Sequence, residues 1–379
     1  MQMKKEAASS AAQDVKRRNY RSIYDRIYRE RRVTKKTLAE ALHLSMPTVT
    51  QDLAQMLADG LIAYIGHEDS TGGRKPELIG PVTDARIAAG LEVIHEMARL
   101  IVTDLYGQTL LDESLPVTFE NSEAYFQTLC RWVNGLLHGM EYPAERILGV
   151  GIAIQGLLLP DQSAVCFGRL LSDGIRLTDF SGRLDWPCTL IHDVEAAAAA
   201  ELWYQPELSD AIYISLNRNT GGALMIDGNV YGGKRCSSGT IEHMCIHPNG
   251  RRCYCGKRGC LDAYCSAAAL EQAAGEPLDR FFENLRLGQR DEKKIWHSWL
   301  KDLALAIDNA RMVVRGDILM GGYVRDYMRD EDFALLHTLI MKQTFFETDD
   351  LTIRRGLCRE QAAALGGALL YIRAFLGSI

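Results

Sequence analysis

No stretch of this 379-residue chain reaches the roughly 18 consecutive apolar residues that a membrane-spanning helix requires. The longest candidates, residues 148–159 and 362–372, are interrupted by Gly or Gln and read as core elements. The leading segment, MQMKKEAASSAAQDVKRR, is charged with no apolar run behind it, so no secretion signal is expected. Without one, ten cysteines argue for a reducing compartment, the cytoplasm, where thiols stay free or bind metal rather than pair as disulfides. Repeats of solenoid length and long low-complexity tracts are also missing, which argues against stacked-repeat architectures.

What is present is the composition of a soluble protein with a sizeable core, 47% hydrophobic and 24% charged. The length suits two or three domains at about 100–200 residues each. The net charge of −6 hides an asymmetry: residues 1–78 hold 14 Lys and Arg against 10 Asp and Glu, so the rest of the chain is more acidic than the whole. A basic leading segment on an acidic body points to a polyanion-binding head, although a solvated helix face carries the same excess.

Residues 15–32 place Tyr20, Ile23, Tyr24, Ile27 and Tyr28 at helical spacing. A second helix is expected over 34–42 with Thr34 as N-cap. After the turn His43-Leu44-Ser45, a third is expected over 46–59, capped by Ser45, with Pro47 in its first turn where a missing N–H costs little. Residues 61–65 form a short β-rich run, followed by a Gly-bearing polar hairpin over 66–75 and a return toward Leu78-Ile79. Gly80-Pro81 marks a boundary, which makes residues 1–80 the first expected domain. Beyond it, strands are expected at 89–93, 98–104, 109–114, 147–154, 189–191 and 211–216. Helices are expected at 122–139, 195–203, 266–274, 292–314 and 361–375. This alternation reads as an α/β fold with mixed sheets.

Three helices, a tight turn between the second and third, and a β-wing define a winged helix-turn-helix. In that geometry the third helix enters the major groove of an operator duplex. Its polar residues Ser45, Thr48, Thr50 and Gln51 then meet base edges or phosphates. The wing, Gly72-Gly73-Arg74-Lys75-Pro76, offers close backbone approach and two cations, Arg74 being suited to a narrow minor groove and Lys75 beside it. Arg17, Arg18, Lys35 and Lys36 are candidate phosphate contacts. The alternative is a small helical interaction module with incidental surface charge.

The strongest local chemistry is His243-x9-Cys253-x-Cys255-x4-Cys260. Three thiolates and an imidazole are the donor set of a tetrahedral structural zinc site, which leaves no open position for a catalytic water. Gly256 and Gly259 let the loop bend its sulfurs toward one centre. Cys245, Cys265 and His247 are nearby alternatives, His247 as a substitute fourth ligand, and free thiols are the bland reading. The scattered Cys130, Cys166, Cys188, Cys236 and Cys358 read as buried small hydrophobes.

With its GGR wing and the segment CYCGKRGCLD, the chain resembles the ROK family (repressors, open reading frames, kinases) over nearly its whole length. The family signature ends in CxCGxxGC followed by Leu and an acidic residue. The resemblance implies an actin/hexokinase-like sugar-kinase fold of two lobes behind the winged head. Here the lobes are expected over 81–190 and 191–379, with the C-terminal helix packing back on the first.

In family members that phosphorylate sugars, an Asp-x-Gly-Gly-Thr turn cradles phosphate. Glu92-Val93-Ile94-His95-Glu96 stands there instead, without either glycine or the Thr, and Glu96 would repel phosphate. A second phosphate turn, GTGxGGG in the kinases, is matched by 217–223 with its leading glycines replaced. Gly321-Gly322, near the kinases' adenosine site, is retained. The resemblance also implies a sugar site. His192-Asp193 corresponds to the kinases' Asn-Asp pair, where the Asp is a general base. In a repressor that carboxylate would accept hydrogen bonds from a sugar. His243 would face the sugar with its second ring nitrogen. Two departures stand out: Thr240 occupies the place of the sugar-facing Glu of Gly-Glu-x-Gly-His, with Glu242 at the Gly position, and Asp262 replaces the usual Glu after the last zinc Cys.

The expectation is therefore a sequence-specific transcriptional regulator, of the repressor kind, for carbohydrate genes. It would act as a homodimer or higher homo-oligomer on DNA, gated by a sugar or phosphosugar effector, with structural zinc and no catalysis. The alternatives are an ATP-dependent sugar kinase with an accessory DNA-binding domain and a regulator governed by a protein partner.

Overall fold

A computed structural model describes residues 2–67, 75–168, 174–233, 238–346 and 350–379, with side chains from residue 13 onward. The chain opens on α1 (Gln2–Glu30), α2 (Lys35–Leu42) and α3 (Met46–Ala58), followed by the antiparallel pair β1 (Ile62–His67) and β2 (Glu77–Pro81). Helix α1 starts well before the expected residue 15. Its first turns are built from good helix formers such as Ala, Gln, Glu and Lys, which show no apolar period to read. Helix α2 is capped reciprocally: the Thr37 N–H donates to Thr34 Oγ1 at 3.2 Å and the Thr34 N–H to Thr37 Oγ1 at 2.9 Å. His43 ends α2 in the left-handed region, and Ser45 Oγ caps α3 by accepting from Thr48 N at 3.3 Å. Ile23, Tyr24, Ile27, Leu38, Val49, Leu53 and Met56 are buried together with Ile79 of β2.

Gly80-Pro81 is not an open linker. Both residues belong to β2 and pair with Ala63 and Ile62. The core of the head continues into Ala85, Ala88, Leu105, Ala368 and Ile372 of the body. The aromatic stripe of α1 continues onto the body at Tyr28, whose Oη donates to Leu105 O at 2.6 Å.

The body holds two five-stranded sheets of the same plan. The first contains β3 (Ile87–Val93), β4 (Met97–Thr103), β5 (Thr109–Pro116), β6 (Ile147–Ile154) and β9 (Cys188–His192) in the order β5-β4-β3-β6-β9. The β5-β4-β3 part is antiparallel and β3-β6-β9 is parallel. Helices α4 (Glu123–Gly139) and α5 (Thr178–Ser181) and the small pair β7 (Leu157–Leu158) and β8 (Val165–Phe167) lie within this stretch. Helix α6 (Asp193–Tyr204) leads to the second sheet. Its strands are β10 (Ala211–Leu216), β11 (Thr220–Ile226), β12 (Asn229–Val230), β13 (Asp317–Gly321) and β14 (Ile353–Arg355), ordered β12-β11-β10-β13-β14. Helices α7 (Asp262–Cys265), α8 (Ala267–Ala274), α9 (Leu278–Arg286), α10 (Arg290–Arg311), α11 (Val324–Tyr327) and α12 (Asp330–Met341) are interposed, and α13 (Ala362–Ser378) closes the chain. Among the described residues no helix is long and apolar enough to cross a membrane.

Strand β11 corrects the expectation of a turn over 217–223. The turn ends at Asn219, and Gly221 and Gly222 pair with Ser215 and Ile214 of β10. Their lack of side chains makes room for packing, since a Cβ would meet Val194 Cγ2 at 2.4 Å or Ile241 Cγ1 at 2.3 Å. Helices α6 and α13 pack between the sheets, sharing a core with Ile101 and Ala153 on one side and Tyr213 and Leu319 on the other. Close approach is made by glycines here as well: a Cβ on Gly366 of α13 would stand 1.8 Å from the Ala196 carbonyl of α6, and one on Gly151 of β6 2.1 Å from Gly367 O.

Of the scattered cysteines, Cys130 and Cys358 are buried, but Cys188 is half-buried and Cys166 exposed, because the short β8 leaves one of its faces in solvent. Cys236 lies outside the described residues.

A carboxylate-lined cavity beside a thiolate cluster

His243, Cys253, Cys255 and Cys260 bring one donor atom each to within 4.8 Å of one another. His243 Nδ1 faces Cys253 Sγ at 3.7 Å, and Cys255 Sγ lies 3.7 Å from Cys260 Sγ. The loop folds this way because Gly256 and Gly259 adopt positive φ of 93° and 81°, and Cys253 N–H closes onto Lys257 O at 2.9 Å. At Gly259 a Cβ would collide with His247 O at 1.8 Å. The alternatives are otherwise engaged. His247 Nε2 meets Asp302 Oδ1 at 2.8 Å, Cys245 Sγ donates to Arg258 O, and Cys265 Sγ to Trp299 O. Three sulfurs and one nitrogen at this spacing can hold a tetrahedral metal ion. Burial, with Lys257 adding to it, holds His243 below the usual imidazole range, in the neutral form that ligates.

Beside the cluster is a cavity of about 460 Å³, between the two sheets. The β3–β4 hairpin brings Glu92, His95 and Arg99 to it, the junction of β9 and α6 brings His192 and Asp193, and the β10–β11 turn brings Asn217 to Thr220. Glu242, His243, Tyr254, Tyr323 and Glu360 complete much of the wall. Burial pushes Glu92 up to about 8, with Asp193 adding to it and Arg99 opposing. Burial likewise pushes Glu242 up to about 8. Asp193 is raised by burial against the pull of His192, whose Nε2 lies 3.3 Å from its Oδ1. Arg99 is held by Asp112 at 2.8 Å and Glu360 at 3.2 Å.

Of the residues expected from the resemblance to face a sugar, His192, Asp193 and His243 line this cavity. Thr240 and Asp262 are not among its lining residues. Thr240 precedes the short 3-10 helix Ile241–His243, and Glu242 in that helix reaches the cavity in its place. Asp262 is turned onto the backbone of the neighbouring turn, where its Oδ1 accepts from Thr220 N at 2.8 Å. It ties the cysteine loop to the cavity wall. Motif register puts Glu242 at a glycine place; its one sequence signal is adjacency to His243. Glu360, in the loop before α13, carries no such signal.

On the head, Thr50 and Gln51 are exposed on α3 and Lys75 is exposed before β2. Ser45 is exposed too, but its Oγ is engaged by Thr48 N at 3.3 Å and Thr48 Oγ1 at 2.9 Å, so the sequence reading of both hydroxyls as base contacts competes with the cap. Arg74 lies outside the described residues.

Cavity and head are joined by α6. Its first residue, Asp193, lines the cavity, and at its far end Trp203 Nε1 donates to Tyr106 O at 2.9 Å and Tyr204 Oη to Gly107 O at 2.5 Å. The Tyr106 ring stacks on Tyr28 of α1 at 4.3 Å between centroids.

Comparison with known proteins agrees with this arrangement. A model of the ROK family matches residues 88–374. The N-acetylglucosamine repressor of Escherichia coli O6:H1 (strain CFT073) is 25% identical over 264 residues, covering 68% of this chain and 64% of that protein, just under two thirds of its length. The crystal structure of a ROK family transcriptional regulator, a homolog of the E. coli MLC protein, matches with a TM-score of 0.77 at 19% identity over 96% of this chain and 97% of that one. A ROK family glucokinase from Streptomyces griseus, solved with glucose and AMPPNP, matches with a TM-score of 0.64 at 19% identity over 75% of this chain and 98% of its own. The two-sheet body, the cysteine loop and a family match spanning most of the length lead to one conclusion: this chain belongs to the ROK family.

Proposed function

We propose that this protein is a DNA-binding transcriptional regulator, of the repressor kind, for carbohydrate genes. Its operator affinity is set by a sugar-class effector in the cavity, zinc is a structural ion, and no phosphoryl group is transferred. The observation that carries the reading is the course of α6, which runs from Asp193 on the cavity to the backbone of Tyr106 and Gly107, on which the head is stacked. An effector bound at Asp193 acts by favouring one arrangement of the head over another. Thr50 and Gln51 of α3 read base edges, with Lys75 and Arg74 on the wing and Arg17, Arg18, Lys35 and Lys36 on phosphates. A homodimer or higher homo-oligomer sets two recognition helices about 34 Å apart, or a multiple, on a pseudo-palindrome. Zinc is held by His243, Cys253, Cys255 and Cys260, and with four protein ligands it supplies rigidity rather than a reactive water. Gel-shift and footprinting against genomic fragments, including the gene's own promoter, test the reading. Salt-dependent preference for one site is expected, and binding no tighter than to random DNA would refute it.

The kinase reading is disfavoured by how the former phosphate turns are used. In the second, Asn217 O and Arg218 O accept from Ala267 N and Ala268 N of α8, and Asn217 Oδ1 accepts from Tyr323 N at 3.0 Å, bridging toward Gly321-Gly322. In the first, His95 O and Glu96 O accept from Phe119 N and Val117 N, and no glycine opens the backbone to an anion. A coupled ADP-release assay across a hexose panel is expected to show no turnover; turnover abolished by Asp193→Asn would restore the kinase reading.

A further inference from the structure

We propose that Cys245 and Cys260 are joined as a disulfide by hydroperoxides, and that this bond takes Cys260 away from the metal. The proposal rests on the reading of His243, Cys253, Cys255 and Cys260 as a zinc site.

Cys245 and Cys260 face each other across an isolated antiparallel bridge. Ile246 N donates to Gly259 O at 2.8 Å and Leu261 N to Met244 O at 2.9 Å, so the hydrogen bonds flank the two cysteines rather than join them. In a non-hydrogen-bonded pair of this kind the Cα atoms stand about 4.5 Å apart with their side chains close together. That separation falls inside the range of about 4.4–6.8 Å that a disulfide spans. Cys245 Sγ already lies over Gly259, the residue next to Cys260, where a Cβ would stand 3.2 Å from it. A turn about χ1, which gives up the 3.7 Å contact with Arg258 O, carries it toward Cys260.

The two thiols differ in access. Cys245 is exposed and outside the four-donor cluster, whereas Cys260 is buried within it. An oxidant therefore meets Cys245 first. The Cys245 thiolate attacks one peroxide oxygen: an S–O bond forms, the O–O bond breaks, and the departing oxygen takes up a proton as water or an alcohol. The Cys260 thiolate then attacks the sulfenic sulfur: the S–S bond forms, the S–O bond breaks, and hydroxide leaves as water with a second proton. Two thiols are oxidised and one peroxide is reduced. The competing pair, Cys255 and Cys260 at 3.7 Å, has both sulfurs among the metal's donors, which makes it the slower to oxidise. With Cys260 gone, three donors remain and the ion is held less tightly. His243 lines the cavity and Asp262 holds Thr220 of its wall, so the change reaches the cavity.

The test adds hydrogen peroxide to the zinc-loaded full chain, follows zinc release with a chromophoric chelator, and maps disulfides by tandem mass spectrometry that separates Cys245 from Cys236 and Cys260 from Cys265. Zinc release with a Cys245–Cys260 linkage is expected. Cys245→Ser should hold as much zinc as the wild type before oxidation and release it at least about tenfold more slowly afterwards. Equal release rates in the two proteins, or a linkage confined to Cys253, Cys255 and Cys260, overturn this proposal and leave the zinc reading standing. Zinc that stays bound under peroxide does the same. A chain that takes up no zinc before oxidation overturns the zinc reading and this proposal with it.

Discussion

Tyr28 and Tyr106 tie α1 to the body three ways, two of them directly to each other. Their rings stack at 4.3 Å with 2° between planes, Tyr106 Oη donates to the Tyr28 carbonyl at 2.6 Å, and Tyr28 Oη donates to the carbonyl of Leu105 at 2.6 Å. The Arg31 guanidinium lies 4.1 Å from the centroid of the Tyr106 ring. Reciprocal bonds of this kind fix the orientation of α1 on the body as well as its distance, because either ring can tilt only by breaking a hydrogen bond.

Removing one bond of that pair should loosen the head selectively. Tyr106→Phe keeps the stack and loses the bond to Tyr28 O, at a cost on the order of 1 kcal/mol. Hydrogen exchange is expected to speed up in α1 around residues 20–31 while β10 and β13 keep their protection. Equal acceleration in both places would show that the pair does not act locally.

On DNA, Thr50 and Gln51 of α3 and the cations of α1 should separate by kind. Gln51→Ala is expected to lose roughly 1–3 kcal/mol of discrimination at one base position. Arg17→Ala should weaken all sequences alike and reduce the salt slope by about 1. Anisotropy titrations over a series of salt concentrations measure both.

For the metal centre, Cys255→Ser and Cys260→Ser are expected to abolish stoichiometric zinc, whereas Cys245→Ser leaves it intact, since Cys245 is outside the cluster. Elemental analysis of purified protein reads this directly. Loss of the ion should also lower the melting temperature, because Asp262, just after Cys260, anchors Thr220 of the cavity wall.

The pH profile of stability should carry the mark of Glu92. Its carboxyl is pushed from 4.5 to about 8 by burial first and by Asp193 and Glu360 next, with Arg99 opposing. Between these values the folded chain keeps a proton that the unfolded chain releases. Stability from this group is therefore full below about pH 4.5 and declines as pH rises toward about 8. Glu92→Gln should flatten that part of the melting-temperature profile; an unchanged slope would place the proton elsewhere.

The sequence by itself determined what depends on local spacing. The caps at Thr34 and Ser45, the strand at 147–154, the strand at 211–216 and the clustering of His243 with the three cysteines of its loop were legible because capping, periodicity and donor spacing act over a few residues. Only the tertiary structure decided what depends on elements meeting. It turned Glu242 rather than Thr240 to the cavity, because a short 3-10 helix sets that direction and motif register does not. It made Gly221-Gly222 a strand, because their use is to admit Val194 and Ile241 from other elements. It also joined head and body through Tyr28 and Tyr106, 78 residues apart, where no local pattern records the contact.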